Sequence, residues 1–172
     1  MKHVRIAMIT SAAMAISGAA HSETLKFNGA LFNKTTSAPN AMSFTPLSDI
    51  YSAETVTIRS IDSSGTFDDI ARTFIVRAKT ESGDAKLLVM ENRAKKELMV
   101  AYLKELAPHK MLYIAERLSV SAGTSPLSVA YSSEFEAVVS SDKQDTNVKA
   151  SAIKALATFD MIKARRLLKS GS

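Results

Sequence analysis

Residues 85–107, AKLLVMENRAKKELMVAYLKELA, decide how the rest of the chain is read. The stretch is rich in strong helix formers and meets no glycine or proline before Pro108. Leu87, Met90, Ala94, Leu98, Ala101 and Tyr102 fall at helical spacing. The same residues also divide into two apolar runs around the polar Asn92–Lys96 segment, the pattern of two strands and a turn. Periodicity alone leaves both readings open for apolar runs of this kind. A helix here makes the fold α+β; two strands make it mainly β.

The flanking segments favour strands. Thr73–Lys79 (TFIVRAK) and Lys86–Met90 (KLLVM) enclose Thr80-Glu81-Ser82-Gly83-Asp84, a polar turn with a glycine available for positive φ. They predict a central hairpin with Phe74, Val76 and Ala78 on one face. Farther upstream, Val56 and Ile58 alternate with Thr57 and Arg59, and Met42-Ser43-Phe44 is stopped by Pro46. Thr35–Asn40 is a polar break ending in Pro39-Asn40. Before it, Thr24–Phe32 alternates so that Leu25, Phe27, Gly29 and Leu31 share one side of an extended chain. Downstream, residues 111–120 and 131–139 supply two later strands, separated by Ala122-Gly123-Thr124-Ser125-Pro126. Alternation with β-branched residues argues for strands. The predicted core includes Phe74, Val76, Leu88, Ile114, Tyr131, Phe135, Ala137 and Val139.

Both ends differ from this middle. Lys2 and Arg5 open the chain, an apolar run follows from Ile6 to Ile16, and Ser17–Ser22 is a small-residue stretch offering cleavage before Glu23. That order is a secretory signal over residues 1–22, too short for the roughly 20 apolar residues that span a bilayer. About 150 residues remain, enough for one domain with its own core. The chain has no cysteine, so no disulfide supports it outside the cytoplasm. Residues 23–145 form a β domain carrying 14 Lys and Arg against 16 Asp and Glu. Residues 146–172 carry six basic residues against Asp160 alone and read as a basic amphipathic helical tail, capped at Thr146 or Asn147 and separate from the body. The near-neutral body gives no electrostatic support for nucleic-acid binding.

Chemistry-bearing motifs are sparse. Past the signal, His109 is the one histidine, in a loop after Pro108, so multi-His or Cys zinc sites and a Ser-His-Asp machine lack their residues. Asp68-Asp69 is the best carboxylate pair but has no calcium-loop pattern around it, and reads as solvated residues before Ala71. Gly65, Gly83 and Gly123 are isolated turn glycines rather than a phosphate loop. No catalytic, cofactor or metal residue is assigned, and the chain reads as a non-enzyme.

Three stretches carry a resemblance: Ser37–Phe44 (SAPNAMSF), Phe67–Asn92 and Lys110–Ser141. In these the chain resembles fimbrial subunits of the alternate chaperone–usher class, the colonisation-factor type, with the first stretch similar to a Pro-Asn segment entering an early strand. The other two look like that family's central hairpin and closing region. The chain departs from it in the helix-prone residues 92–109 and in a C-terminal extension of about thirty residues. The resemblance implies an immunoglobulin-like sandwich lacking one strand, with residues 23–145 as a pilin-like domain. It further implies a periplasmic chaperone, an outer-membrane usher, self-polymerisation with like subunits, a host receptor, and passage through the periplasm to a surface fimbrium. In such a fibre, a neighbour's N-terminal segment fills the open groove by strand addition. Leu25, Phe27, Gly29 and Leu31 are the donor-strand candidates. The competing reading is a small periplasmic accessory or binding protein whose basic C-terminal helix meets a partner or anionic lipid.

The signal makes a direct prediction. The exported protein begins at Glu23, checked by N-terminal sequencing; recovery of Met1 from the exported fraction would reject it.

Overall fold

Asn28 and Gly29 set the first turn of the domain. Their φ angles of 49° and 82° match the left-handed pair of a two-residue hairpin turn. Strand β1 (Thr24–Phe27) therefore folds straight back on β2 (Ala30–Ala38), with Phe27 opposite Ala30. Pro39-Asn40 turns the chain into β3 (Ala41–Pro46), followed by β4 (Glu54–Ser60). Helix α1 (Phe67–Ser82) comes next, then β5 (Leu88–Asn92), β6 (Glu97–Ala107), β7 (Lys110–Ser119) and β8 (Leu127–Glu136). Helices α2 (Asp142–Thr158) and α3 (Met161–Ser170) complete the order. The computed structural model describes residues 23–47, 53–83, 85–136 and 142–170. The signal segment, Ala137 and Val139 lie outside them.

The chain is mainly β with a helical C-terminal stretch, as its sequence indicates. Among the described residues, eight strands join one antiparallel sheet in the order β1-β2-β3-β4-β8-β7-β6-β5. Laid flat, β1 and β8 would stand about 19 Å apart, four strand spacings. Yet the rings of Phe27 and Tyr131 stack with centroids 5.5 Å apart and planes within 16°. The sheet therefore curls, bringing β1 over β8, while the β4–β8 ladder stays continuous. Inside the curl, Leu25, Phe27, Phe44 and Ile58 share one buried cluster with Leu156 of α2 and Leu168 of α3.

Helix α1 covers the opposite face. Side chains alternate across a strand, and β6 uses both sides: Met99 and Ala101 join the inner cluster, while Leu98, Val100 and Tyr102 pack beneath Ile70, Phe74 and Ala78 of α1. Arg77 pairs with the buried Glu116 of β7, and the Tyr102 hydroxyl donates to Glu81 at 2.9 Å. Burial, then the hydrogen bond to Glu81, pushes that phenol's pKa above its usual range.

Three expectations are corrected. Residues 67–82 are a helix, not the first arm of a hairpin. Thr66 and Asp69 form a reciprocal capping box, and Gly83 at φ 56° ends the helix. Phe74 is buried, but Val76 is 58 % exposed, because helical rather than alternating periodicity sets the buried face. Residues 85–107, open in the sequence between a helix and two strands, are the two strands β5 and β6, joined around Arg93–Lys96. Leu88 lies on the sheet edge at 39 % exposure, outside the core; Tyr131 is buried, and Ile114 and Phe135 pack partly buried against the two clusters.

The third correction concerns the C-terminal residues. They form two helices broken at Phe159-Asp160, and they belong to the core rather than standing apart. Ala152, Leu156 and Ala164 are fully buried within the sheet's curl. Deleting 146–172 removes one wall of that cluster, so the truncated chain is expected to lose cooperative unfolding in urea. Leu156→Ala in the full chain should cost about 2–5 kcal/mol. A truncated chain with an unchanged midpoint would contradict a shared core.

Candidate functional site

Arg117 fixes where the C-terminal layer sits. It projects from β7 into the curl, and its Nη1 donates to the carbonyls of Leu156, Ala157 and Phe159 at 2.8, 3.0 and 3.1 Å. Those are the last carbonyls of α2 and its exit turn, where a helix runs short of donors; the Leu156 carbonyl also accepts the Phe159 N–H at 3.2 Å. Nη2 meets the Glu97 carboxylate of β6 at 2.6 Å, so the positive charge is balanced. A cation at a helix C-terminus also interacts favourably with the helix dipole.

The chain then turns and Asp160 starts α3. Its Oδ1 accepts the N–H groups of Ile162 and Lys163 at 2.9 and 3.0 Å, an N-cap. Arg165 Nη1 donates to the Ser125 carbonyl at 2.8 Å, tying α3 to the β7–β8 loop. At the far end, the Ser170 hydroxyl reaches Glu23, which is also paired with Lys34 at 2.9 Å. The hydrogen bond from Lys34 chiefly holds the Glu23 carboxyl below its ordinary pKa.

Ala164 and Leu168 face the core, Met161 and Leu167 pack partly buried against it, and Ile162, Lys163, Arg166 and Lys169 stay exposed. Ile162, Arg166 and Lys169 follow i, i+4, i+7 spacing on the outer side, with Lys163 beside them. Ile162 is 66 % exposed, an apolar side chain surrounded by cations. Among the described residues, Lys163, Arg166 and Lys169 take part in no ion pair. The β1–β2 turn lies beside this layer: Ser151 Oγ donates to Asn28 Oδ1 at 2.6 Å, and Phe27 packs 6.0 Å from Phe159, centroid to centroid. Between them opens a cleft of about 540 Å3 carrying Lys26, Lys154 and Lys163.

A second cleft of about 680 Å3 lies at the start of α1, lined by Thr66, Asp68, Arg93, Lys96 and Thr124 among others. Arg93 is already paired with Glu91 at 2.9 Å, and Asp68 offsets Lys96 in that lining. The unbalanced charge lies on the C-terminal side.

The four donor-strand candidates do not share a face. Leu25 and Phe27 are 0 % and 2 % exposed in their own domain, Gly29 makes the turn, and Leu31 lies 49 % exposed opposite Lys26. The two-residue reversal inverts the alternation that a single extended strand would have kept. Asp68 and Asp69 occupy the first turn of α1, where Asp69 caps; its carboxyl is held low chiefly by the Thr66 hydroxyl. His109 is exposed in the two-residue β6–β7 turn. No group of three or more His, Cys, Asp or Glu fit to hold a metal occurs among the described residues. No described helix is long and apolar enough to cross a membrane.

The cationic surface of α3 was legible in composition, whereas the Lys26 contribution was not, because only the hairpin turn brings residue 26 to residues 154 and 163. No protein-family model matches the chain, and no curated protein sequence matches it significantly.

Arg117→Met removes the guanidinium from four partners, leaving a partly buried Glu97 unpaired and the Ala157 and Phe159 carbonyls without this donor. Stability should fall by about 3–5 kcal/mol in urea unfolding. A loss below about 0.5 kcal/mol, the size of a surface change, would show that the bracket carries no weight.

Proposed function

We propose that this chain is an exported, non-catalytic binding module that docks on an anionic lipid surface through its C-terminal helical layer. The observation that carries the reading is the outer face of α3, where an exposed isoleucine is set among Lys163, Arg166 and Lys169 while the opposite face is locked in the core. A basic face with a protruding apolar side chain is the arrangement of helices that lie in a membrane interface. Each cation near an anionic surface contributes about 1 kcal/mol, and salt weakens it. Because α3 is held by Arg165, Asp160 and the core, little ordering entropy is lost on docking.

Polymerisation through the N-terminal segment is the weaker reading of the same chain. Leu25 and Phe27 would have to leave their own core, at about 1.5–3 kcal/mol for each side chain. The exposed cations of α3 would then have no part in the function.

Co-sedimentation of the purified mature protein with vesicles tests the proposal. Binding should require phosphatidylglycerol, be absent from pure phosphatidylcholine, and fall steeply between low and physiological salt. R166Q/K169Q should weaken it about 10- to 30-fold, the equivalent of roughly 2 kcal/mol. Equal binding to neutral vesicles, or none to anionic ones, would overturn the reading.

A further inference from the structure

The cleft beside the β1–β2 turn is more specific than a charged face. Its three lysines come from three elements: Lys26 from β1, Lys154 from α2 and Lys163 from α3. Among the described residues none of them forms an ion pair. The one carboxylate in the lining, Asp160, is engaged in capping α3 through Oδ1. The cleft therefore gathers three ammonium groups with a single, already committed counter-charge.

Its walls are fixed. Phe27 is almost fully buried and packs against Phe159, so apolar rings back the charged rim. The Ser151 hydroxyl bonds the Asn28 side-chain oxygen, leaving the Asn28 amide nitrogen as a further donor at the rim. Like charges held around a concave, partly dry wall repel one another, and the same field attracts a compact anion. Three ammonium groups and an amide suit a group with several acceptor oxygens and more than one negative charge. A volume of about 540 Å3 falls in the range of small-molecule sites and exceeds what a bare oxyanion needs.

We propose that this cleft binds a phosphate group carried on a small organic body, as in a phospholipid headgroup or a soluble phosphate ester. The inference rests on the reading of the C-terminal layer as an anion-binding surface and adds the ligand class. The bound group would sit between Lys26, Lys154 and Lys163, stapling the first hairpin to both C-terminal helices.

Thermal unfolding of the mature protein with glycerol 3-phosphate, and sedimentation with phosphatidylglycerol vesicles, test it together. Glycerol 3-phosphate should raise Tm saturably by several degrees, beyond sodium chloride at matched ionic strength. In K26Q/K154Q/K163Q that rise should vanish, while the ligand-free Tm stays level or increases because the repulsion is relieved. R166Q/K169Q should keep the rise. A saturable response to glycerol 3-phosphate identifies a soluble ester as sufficient. Vesicle binding lost in the triple-lysine variant without any such response identifies the lipid headgroup as the source. Vesicle binding unchanged in the triple-lysine variant but lost in R166Q/K169Q would sink the cleft and leave the surface reading standing. A glycerol 3-phosphate response without vesicle binding would do the reverse. A Tm rise matched by chloride, with vesicle binding unaffected by the lysines, would overturn the site.

Discussion

One guanidinium holds the C-terminal layer to the sheet. Arg117 meets the end of α2 from below and supplies the donor for the Ala157 and Phe159 carbonyls, and a second one for the Leu156 carbonyl, which also accepts the Phe159 N–H. Satisfying them lets the chain break at Phe159-Asp160 and leave in a new direction, where Asp160 starts α3. Glu97 neutralises the charge, so the arginine sits at 12 % exposure without an unpaired ion. The position of α3, and of every cation on it, follows from this contact and from the small buried Ala152 and Ala164, which let both helices approach the sheet closely.

That placement changes what the basic residues mean. Six cations on a loose tail would be a solvated appendage. Here α3 has a buried side, a capped start and an anchored loop contact, so its charges stand at fixed positions relative to Lys26 and Lys154. Fixed charge is what separates recognition from general attraction, because the geometry is set before the partner arrives. The opposite face carries α1 with Arg77 and Glu81 engaged by Glu116 and Tyr102, and offers no comparable excess.

Much of the strand content was legible because alternation survives in β3, β4, β7 and β8. The hairpin expected at 73–90 failed for an identifiable reason. Phe74, Val76 and Ala78 satisfy a period of two, but Ile70, Ala71, Phe74 and Ala78 satisfy a helical face equally well. The capping box at Thr66 and Asp69 was the local signal that arbitrates, and it lies just before the stretch in question. In residues 85–107, helix propensity lost to pairing with β7, a tertiary contact invisible in the stretch itself. Asn28-Gly29 was readable as a turn, yet the apolar spacing from Leu25 to Leu31 runs straight through it. The cationic tail was plain in composition; its burial rested on Ala152, Leu156, Ala164 and Leu168, which meet β7, β8 and β4 across the curl, contacts the tail itself does not reveal.

The C-terminal helices are core elements, and the proposed function makes their outer side a rigid docking face for anionic lipid. Amide hydrogen exchange of the mature chain, with and without phosphatidylglycerol vesicles, tests both halves in one measurement. In the free protein, α2 amides near Leu156 should exchange as slowly as those of β4 and β8. On adding vesicles, α3 and the Asn28-Gly29 turn should gain protection while β5 stays unchanged. Rapid exchange throughout α2 and α3 in the free protein, or protection appearing at β5 instead of α3, would contradict it.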